Sequence, residues 1–115
     1  MRQMRPAVIE HPHRKCKVWF NQVDEFHPSS YGEELYQTML DLYDGDTEKF
    51  PMYAQFGDGG EIPLSYLDTI RRAIRKNIIK FPWQKGDLLI LDNVLIGHGR
   101  MPFTGARRTL VAMTK

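Results

Sequence analysis

The stretch Gly86-Asp87-Leu88-Leu89-Ile90-Leu91-Asp92-Asn93, continuing through Val94-Leu95-Ile96-Gly97-His98-Gly99-Arg100 to Met101-Pro102-Phe103-Thr104-Gly105-Ala106-Arg107-Arg108, decides how this chain is read. Leu88 to Leu91 is an unbroken apolar run, bounded by Gly86-Asp87 on one side and Asp92-Asn93 on the other. So brief a run is too short for an ordinary helix and suits a strand buried on both faces. Val94-Leu95-Ile96-Gly97-His98 follows at once as a further strand candidate. Ile79-Lys80-Phe81-Pro82-Trp83 reads as a short strand before it, and residues Arg107 to Thr114 read as a last one.

Upstream, the pattern changes. Lys17-Val18-Trp19-Phe20-Asn21, rich in β-branched and aromatic residues, reads as a strand. The preceding His11-Pro12-His13-Arg14-Lys15 reads as a turn, because Pro12 has no amide to donate and biases His11 away from helix. A helix is predicted over Tyr31–Tyr43, with Ser30 and Glu33 as a capping box and Leu35, Met39, Leu42 and Tyr43 on one face. Asp44-Gly45-Asp46 should stop it, Gly45 being free to take the left-handed conformation. Gly57-Asp58-Gly59-Gly60 makes a loop. A second helix is predicted from about Leu64 or Tyr66 to Asn77, capped by Ser65 with Asp68 three residues on, burying Leu67, Ile70, Ile74 and Ile78. Arg71, Arg72, Arg75 and Lys76 are placed on the opposite, solvated side, near the end where cations complement the helix dipole. The class available from pattern is α+β with a β-rich end.

Composition narrows the alternatives. At 115 residues, with 42% apolar and 11% aromatic residues, the chain is one globular domain or a piece of one. Sixteen Lys and Arg against fourteen Asp and Glu leave a net charge of +2, too small an imbalance to argue for nucleic acid. Cys16 is the single cysteine, so no intrachain disulfide forms and a reducing compartment is expected. No apolar run approaches the roughly 18–20 residues that would cross a bilayer. Nor does Met1 to Arg14 carry the apolar stretch of a signal peptide. A cytoplasmic protein without membrane or nucleic-acid partners is the expectation.

The chemistry concentrates in the opening stretch. His98, at the end of an apolar strand and followed by glycine, would leave its imidazole at the rim of a sheet or barrel with open space beside it. Arg107 and Arg108 enter the next strand. A neutral imidazole is a good Fe(II) ligand, and a guanidinium fork pairs bidentately with a carboxylate. On pattern alone, a hydrogen-bonded structural role for His98 stays open beside that of a ligand.

The segment from Trp83-Gln84-Lys85-Gly86-Asp87 through Arg108 resembles the C-terminal signature of the TauD/TfdA family of Fe(II)/2-oxoglutarate-dependent dioxygenases. Val18-Trp19-Phe20-Asn21-Gln22, with His11-Pro12 before it and Phe26-His27 after it, is similar to the same family. The resemblance implies the C-terminal part of a double-stranded β-helix, or jelly roll, with helical insertions, its upstream part lying outside these 115 residues. It implies that His98 is the distal histidine of a two-histidine, one-carboxylate iron site, and that Arg108 pairs with the distal carboxylate of 2-oxoglutarate. Arg107 is the runner-up for that role; Arg107 and Arg100 otherwise read as structural. The implied reaction uses Fe(II), 2-oxoglutarate and O2 to hydroxylate an unactivated C–H bond of a small substrate, with decarboxylation of 2-oxoglutarate to succinate. The Pro102 to Arg108 variant resembles members associated with nonribosomal peptide biosynthesis, which implies an amino acid presented on a carrier protein.

The departure from the family matters equally. Its other two iron ligands come from a His-x-Asp or His-x-Glu motif. Two residues after His11, His13, His27 and His98 stand His13, Lys15, Ser29 and Arg100, none of them a carboxylate. Two substitutes can be weighed: the pair His11 and His13, which Pro12 places in a surface turn, and the pair Asp24 and His27, whose order and spacing are wrong. His27 also reads as a pocket-lining residue. The expectation is a chain that lacks iron turnover by itself, with a truncated, non-catalytic remnant or binding protein of the same fold as the alternative. A nucleic-acid module built on Arg71 to Lys76 is a third, weaker class.

Overall fold

The computed structural model describes residues 3–113. β1 (Val8–Glu10) and β2 (Lys17–Trp19) form an antiparallel pair, with Val8 opposite Trp19, Ile9 opposite Val18 and Glu10 opposite Lys17. The turn predicted around Pro12 joins them. The amide of His11 donates to the Cys16 carbonyl at 2.8 Å, and that of Lys15 to the His11 carbonyl at 3.0 Å.

A short helix α1 (Val23–Phe26) and a 3-10 turn (Pro28–Tyr31) precede α2 (Glu33–Leu42). The capping box is not formed. Ser30 donates its hydroxyl to the Glu25 carbonyl at 3.1 Å, and Gly32 becomes the residue from which α2 starts, with no side-chain cap. The inward face of α2 is also rotated from the expected one. Tyr36, Met39, Leu40 and Tyr43 are half-buried, while Leu35 and Leu42 face solvent. Tyr36 fixes this rotation, its ring meeting that of His27 edge-on at 5.3 Å. The stop at Gly45 is as expected. Gly45 lies at φ +73, where an added Cβ is strained, and its amide closes onto the Leu40 carbonyl at 2.8 Å.

α3 (Leu64–Asn77) occupies the predicted span, but Pro63 rather than Ser65 stands at its N-cap. Leu67 is fully buried, Ile70 and Arg71 are half-buried, and Ile74 and Ile78 are exposed. The core is therefore small. Phe50, Ile62 and Leu67 are its apolar members, joined by buried His11, Asp24, His27 and Pro28. A run of aromatic contacts knits it: Tyr43 to Phe50 at 5.3 Å, Phe50 to Tyr53 at 5.8 Å, and Tyr53 to His27 at 5.1 Å between ring centroids.

The α+β class is what these elements show, but the expected C-terminal strands are not formed. Among the described residues, 79–113 contain no strand; Thr114, the end of the last predicted one, lies outside them. The physical reason is that a strand exists only as one side of a hydrogen-bonded ladder. Without a neighbouring strand, the apolar runs remain irregular chain, leaving Leu88 84% and Ile90 85% exposed. The alternation expected to set Arg108 with Leu110 and Ala112 against Arg107 has no sheet to act on.

Candidate metal and dicarboxylate site

The segment bearing His98 is entered through two turns. In the first, the Asp87 amide donates to the Gln84 carbonyl at 3.1 Å, and the Gln84 amide to Asp87 Oδ2 at 2.8 Å. Gly86 takes the third position of this turn at φ +97, a conformation that favours glycine. The second turn is built on Asp92. Its Oδ1 accepts the Val94 amide at 3.1 Å, and its carbonyl accepts the amides of Leu95 and Ile96, both at 3.0 Å.

Asp92 also reaches across the molecule. Its Oδ2 lies 2.9 Å from Nε2 of His11, a residue 81 positions earlier. The other ring nitrogen, Nδ1, accepts the amides of His13 at 3.2 Å and Arg14 at 3.0 Å. With Nδ1 accepting, the proton resides on Nε2 and is donated to the carboxylate. This hydrogen bond holds the Asp92 carboxyl below its usual range, burial opposing and the Val94 amide assisting. His11 opens the predicted surface turn, in which residues 12–16 are exposed, but its own ring is turned inward and is only 2% exposed. Both of its nitrogens are engaged, so the substitute pairing of His11 with His13 as metal ligands is not what the geometry offers, although their rings lie 6.1 Å apart.

Beyond the Asp92 turn, His98 is exposed. The chain then bends at Gly105, and Arg100 Nη1 donates to Thr109 Oγ1 at 3.3 Å. The Arg107 guanidinium sits 4.8 Å from the Phe103 ring centroid in a cation–π contact. His98 and Arg108 stand on either side of the bend at Gly105. Surface hollows lined by Glu25, Phe26, Ser30, Tyr31 and Met52, and by Ser65, Asp68, Thr69, Arg72 and Arg75, lie elsewhere. Among the described residues, no three His, Cys, Asp or Glu side chains come together as a metal site.

His27 has a different place from any expected of it. It lines neither hollow and is 1% exposed, between the rings of Tyr36 and Tyr53. Its Nδ1 accepts the Ser29 amide at 3.2 Å, so the Ser29 hydroxyl, 2.9 Å away, donates to the same nitrogen. The Ser29 oxygen in turn accepts from Arg71 Nη2 at 2.9 Å, and Arg71 Nη2 also reaches the Asp24 carbonyl at 2.9 Å. Burial, helped by the Arg71 charge and opposed by Glu61, lowers the His27 pKa and keeps the ring neutral. Tyr53 donates to Glu61 Oε1 at 3.2 Å, and burial pushes its phenol upward. This cluster is a satisfied polar core, and the Asp24–His27 ligand pair is not formed by it.

Two features escaped the sequence reading. The His11–Asp92 pair spans most of the chain and leaves no local signal. Arg71 did leave one: it follows Leu67 by four residues and so shares the buried face, opposite to the solvated side assumed for it. Its side chain is 15% exposed.

The family model for taurine catabolism dioxygenase TauD, TfdA family, matches residues 1–114, and the chain belongs to that family. It is 41% identical over 111 residues to the dapdiamide synthesis protein DdaC of Enterobacter agglomerans, covering 96% of this chain and 33% of that protein. It is 32% identical over 113 residues to a clavaminate synthase-like protein of Arabidopsis thaliana, covering 96% and 29% respectively. The chain thus spans about a third of the length of these curated relatives. No solved structure matches it.

Proposed function

We propose that the chain carries the distal iron histidine, His98, and the 2-oxoglutarate arginine, Arg108, of an Fe(II)/2-oxoglutarate-dependent oxygenase domain. The other iron ligands and the remaining jelly-roll strands come from polypeptide upstream of this third of the domain. The observation that carries the proposal is the family match over residues 1–114, combined with His98-Gly99-Arg100 and Arg107-Arg108 in the closing segment.

The donors present fit part of such a site. His98 offers one free-standing imidazole, and Arg108 offers a guanidinium suited to a dicarboxylate, with Arg107 as its alternative. Three ligands do not assemble among the described residues. When bound in a complete site, iron would supply O2 activation coupled to decarboxylation of 2-oxoglutarate to succinate. This chain's share is to hold one iron position, anchor the cosubstrate's far carboxylate and fix the turn between them. Relatives named for dapdiamide synthesis and for clavaminate synthase support a small biosynthetic substrate, and the reaction proposed on it is hydroxylation of an unactivated C–H bond. An amino acid delivered by a carrier protein fits that description.

A second reading, a non-catalytic binding protein of the same family, draws support from the missing carboxylate two residues after every histidine. One experiment separates the two. The chain is exchanged for the matching third of DdaC, and 2-oxoglutarate-dependent succinate formation is measured. The oxygenase reading expects turnover that His98→Ala abolishes and for which Arg108→Ala raises the 2-oxoglutarate requirement. Turnover indifferent to His98→Ala would overturn it. If Arg107→Ala raised the requirement and Arg108→Ala did not, the two arginines would exchange roles.

A further inference from the structure

We infer that His11 is a positioning residue for the iron-ligand segment: its bond to Asp92 ties the β1–β2 hairpin to the turn that delivers His98. The inference rests on the proposed role of His98 and adds a device that the role itself does not require. Three observations meet at this pair. His11 is almost fully buried, so its ring has one orientation to offer. Its Nδ1 is committed to the His13 and Arg14 amides, which fixes the tautomer and leaves Nε2–H as the only group available to Asp92. Asp92 is committed on its other oxygen to the Val94 amide and through its carbonyl to Leu95 and Ile96, so that moving Asp92 moves the whole turn.

The geometry gives the tie a direction. The hairpin is a hydrogen-bonded ladder, whereas residues 79–113 form no ladder of their own among the described residues. The ordered partner is therefore the hairpin, and the segment leading to His98 is the part that gains order. Outer groups that orient a ligand are commonly worth about 10- to 100-fold in metal affinity. The low end, about tenfold, is expected here, because His11 acts through six intervening residues rather than on His98 itself.

Two substitutions at one position separate tie from turn. In His11→Asn, the amide oxygen replaces Nδ1 as acceptor for His13 and Arg14, but nothing reaches Asp92. In His11→Gln, the amide nitrogen approximates Nε2 and the tie is kept, while the Nδ1 acceptor is lost. Asp92→Asn keeps one oxygen for one of its two bonds only. The test follows hydrogen exchange at the Leu95 and Ile96 amides of the full chain, and the NMR signal of the His98 imidazole titrated with Co(II) in the DdaC hybrid that carries this chain. In His11→Asn, Leu95 and Ile96 should exchange about tenfold faster while the Lys15 and α3 amides keep their protection. The Co(II) midpoint for His98 in the hybrid should rise by about tenfold. His11→Gln should restore both toward the parent values, and Asp92→Asn combined with His11→Asn should add little to either alone. Unchanged exchange at Leu95 and Ile96 in His11→Asn would overturn the inference. In the parent hybrid, a His98 signal that ignores Co(II) would instead overturn the ligand role, with the exchange rates still deciding whether His11 holds the turn.

Discussion

His27 shows how a single residue in this protein trades reactivity for stability. Its neutral ring accepts two hydrogen bonds at Nδ1 and is shielded by two tyrosines, so the folded chain resists a proton that the unfolded chain accepts. The folded pKa is lowered from 6.5, so this contribution is complete above that value and is lost as pH falls below it. Thermal melts between about pH 7.5 and about pH 5.5 should show the parent losing more stability than His27→Asn, which cannot titrate. Asp92 shifts the same way in a lower window. Its carboxyl is held below 3.8, so the tie to His11 persists above that range and fails as pH falls through the lowered value. Arg71 is the third case. Removing it leaves the Ser29 hydroxyl and the Asp24 carbonyl without their donor, and Arg71→Ala should cost about 2 kcal/mol in denaturant midpoint analysis. The sequence held enough to place Arg71, through its four-residue spacing from Leu67. It held nothing to pair His11 with Asp92, since a contact between residues 81 positions apart depends on the tertiary path.

Elements whose hydrogen bonds close within themselves were legible. α3 and the end of α2 at Gly45 follow from local periodicity and backbone preference, and both are present where expected. Substituting Gly45→Ala places a Cβ at φ +73 and should cost about 1 kcal/mol, read as a lowered melting temperature with the helical signal largely retained. Elements whose bonds close elsewhere were not realised. Leu88 to Leu91 has the pattern of a doubly buried strand, yet the described residues give it neither ladder partners nor two covering faces. The capping box at Ser30 failed for a related reason, because the 3-10 turn gave that hydroxyl a nearer acceptor at Glu25. Local signals thus forecast the helical half of this chain, and for residues 79–113 they forecast strands that the described residues do not form.

At the scale of the whole molecule, the Cα radius of gyration is 17.3 Å, against about 13 Å for a compact domain of this length. The C-terminal apolar segments are open to solvent, Ile79 being 88% exposed and Val111 81%. Covering them with the rest of a family domain would bury this surface and supply the missing ladders. Iron binding and compaction should therefore appear together. The most direct measurement is an anaerobic Fe(II) titration, with 2-oxoglutarate present, of the DdaC hybrid that carries this chain, followed by visible charge-transfer absorption. A stoichiometric band that disappears in His98→Ala is the predicted result. A band of equal stoichiometry in His98→Ala would contradict the assignment of this chain's histidine to the iron.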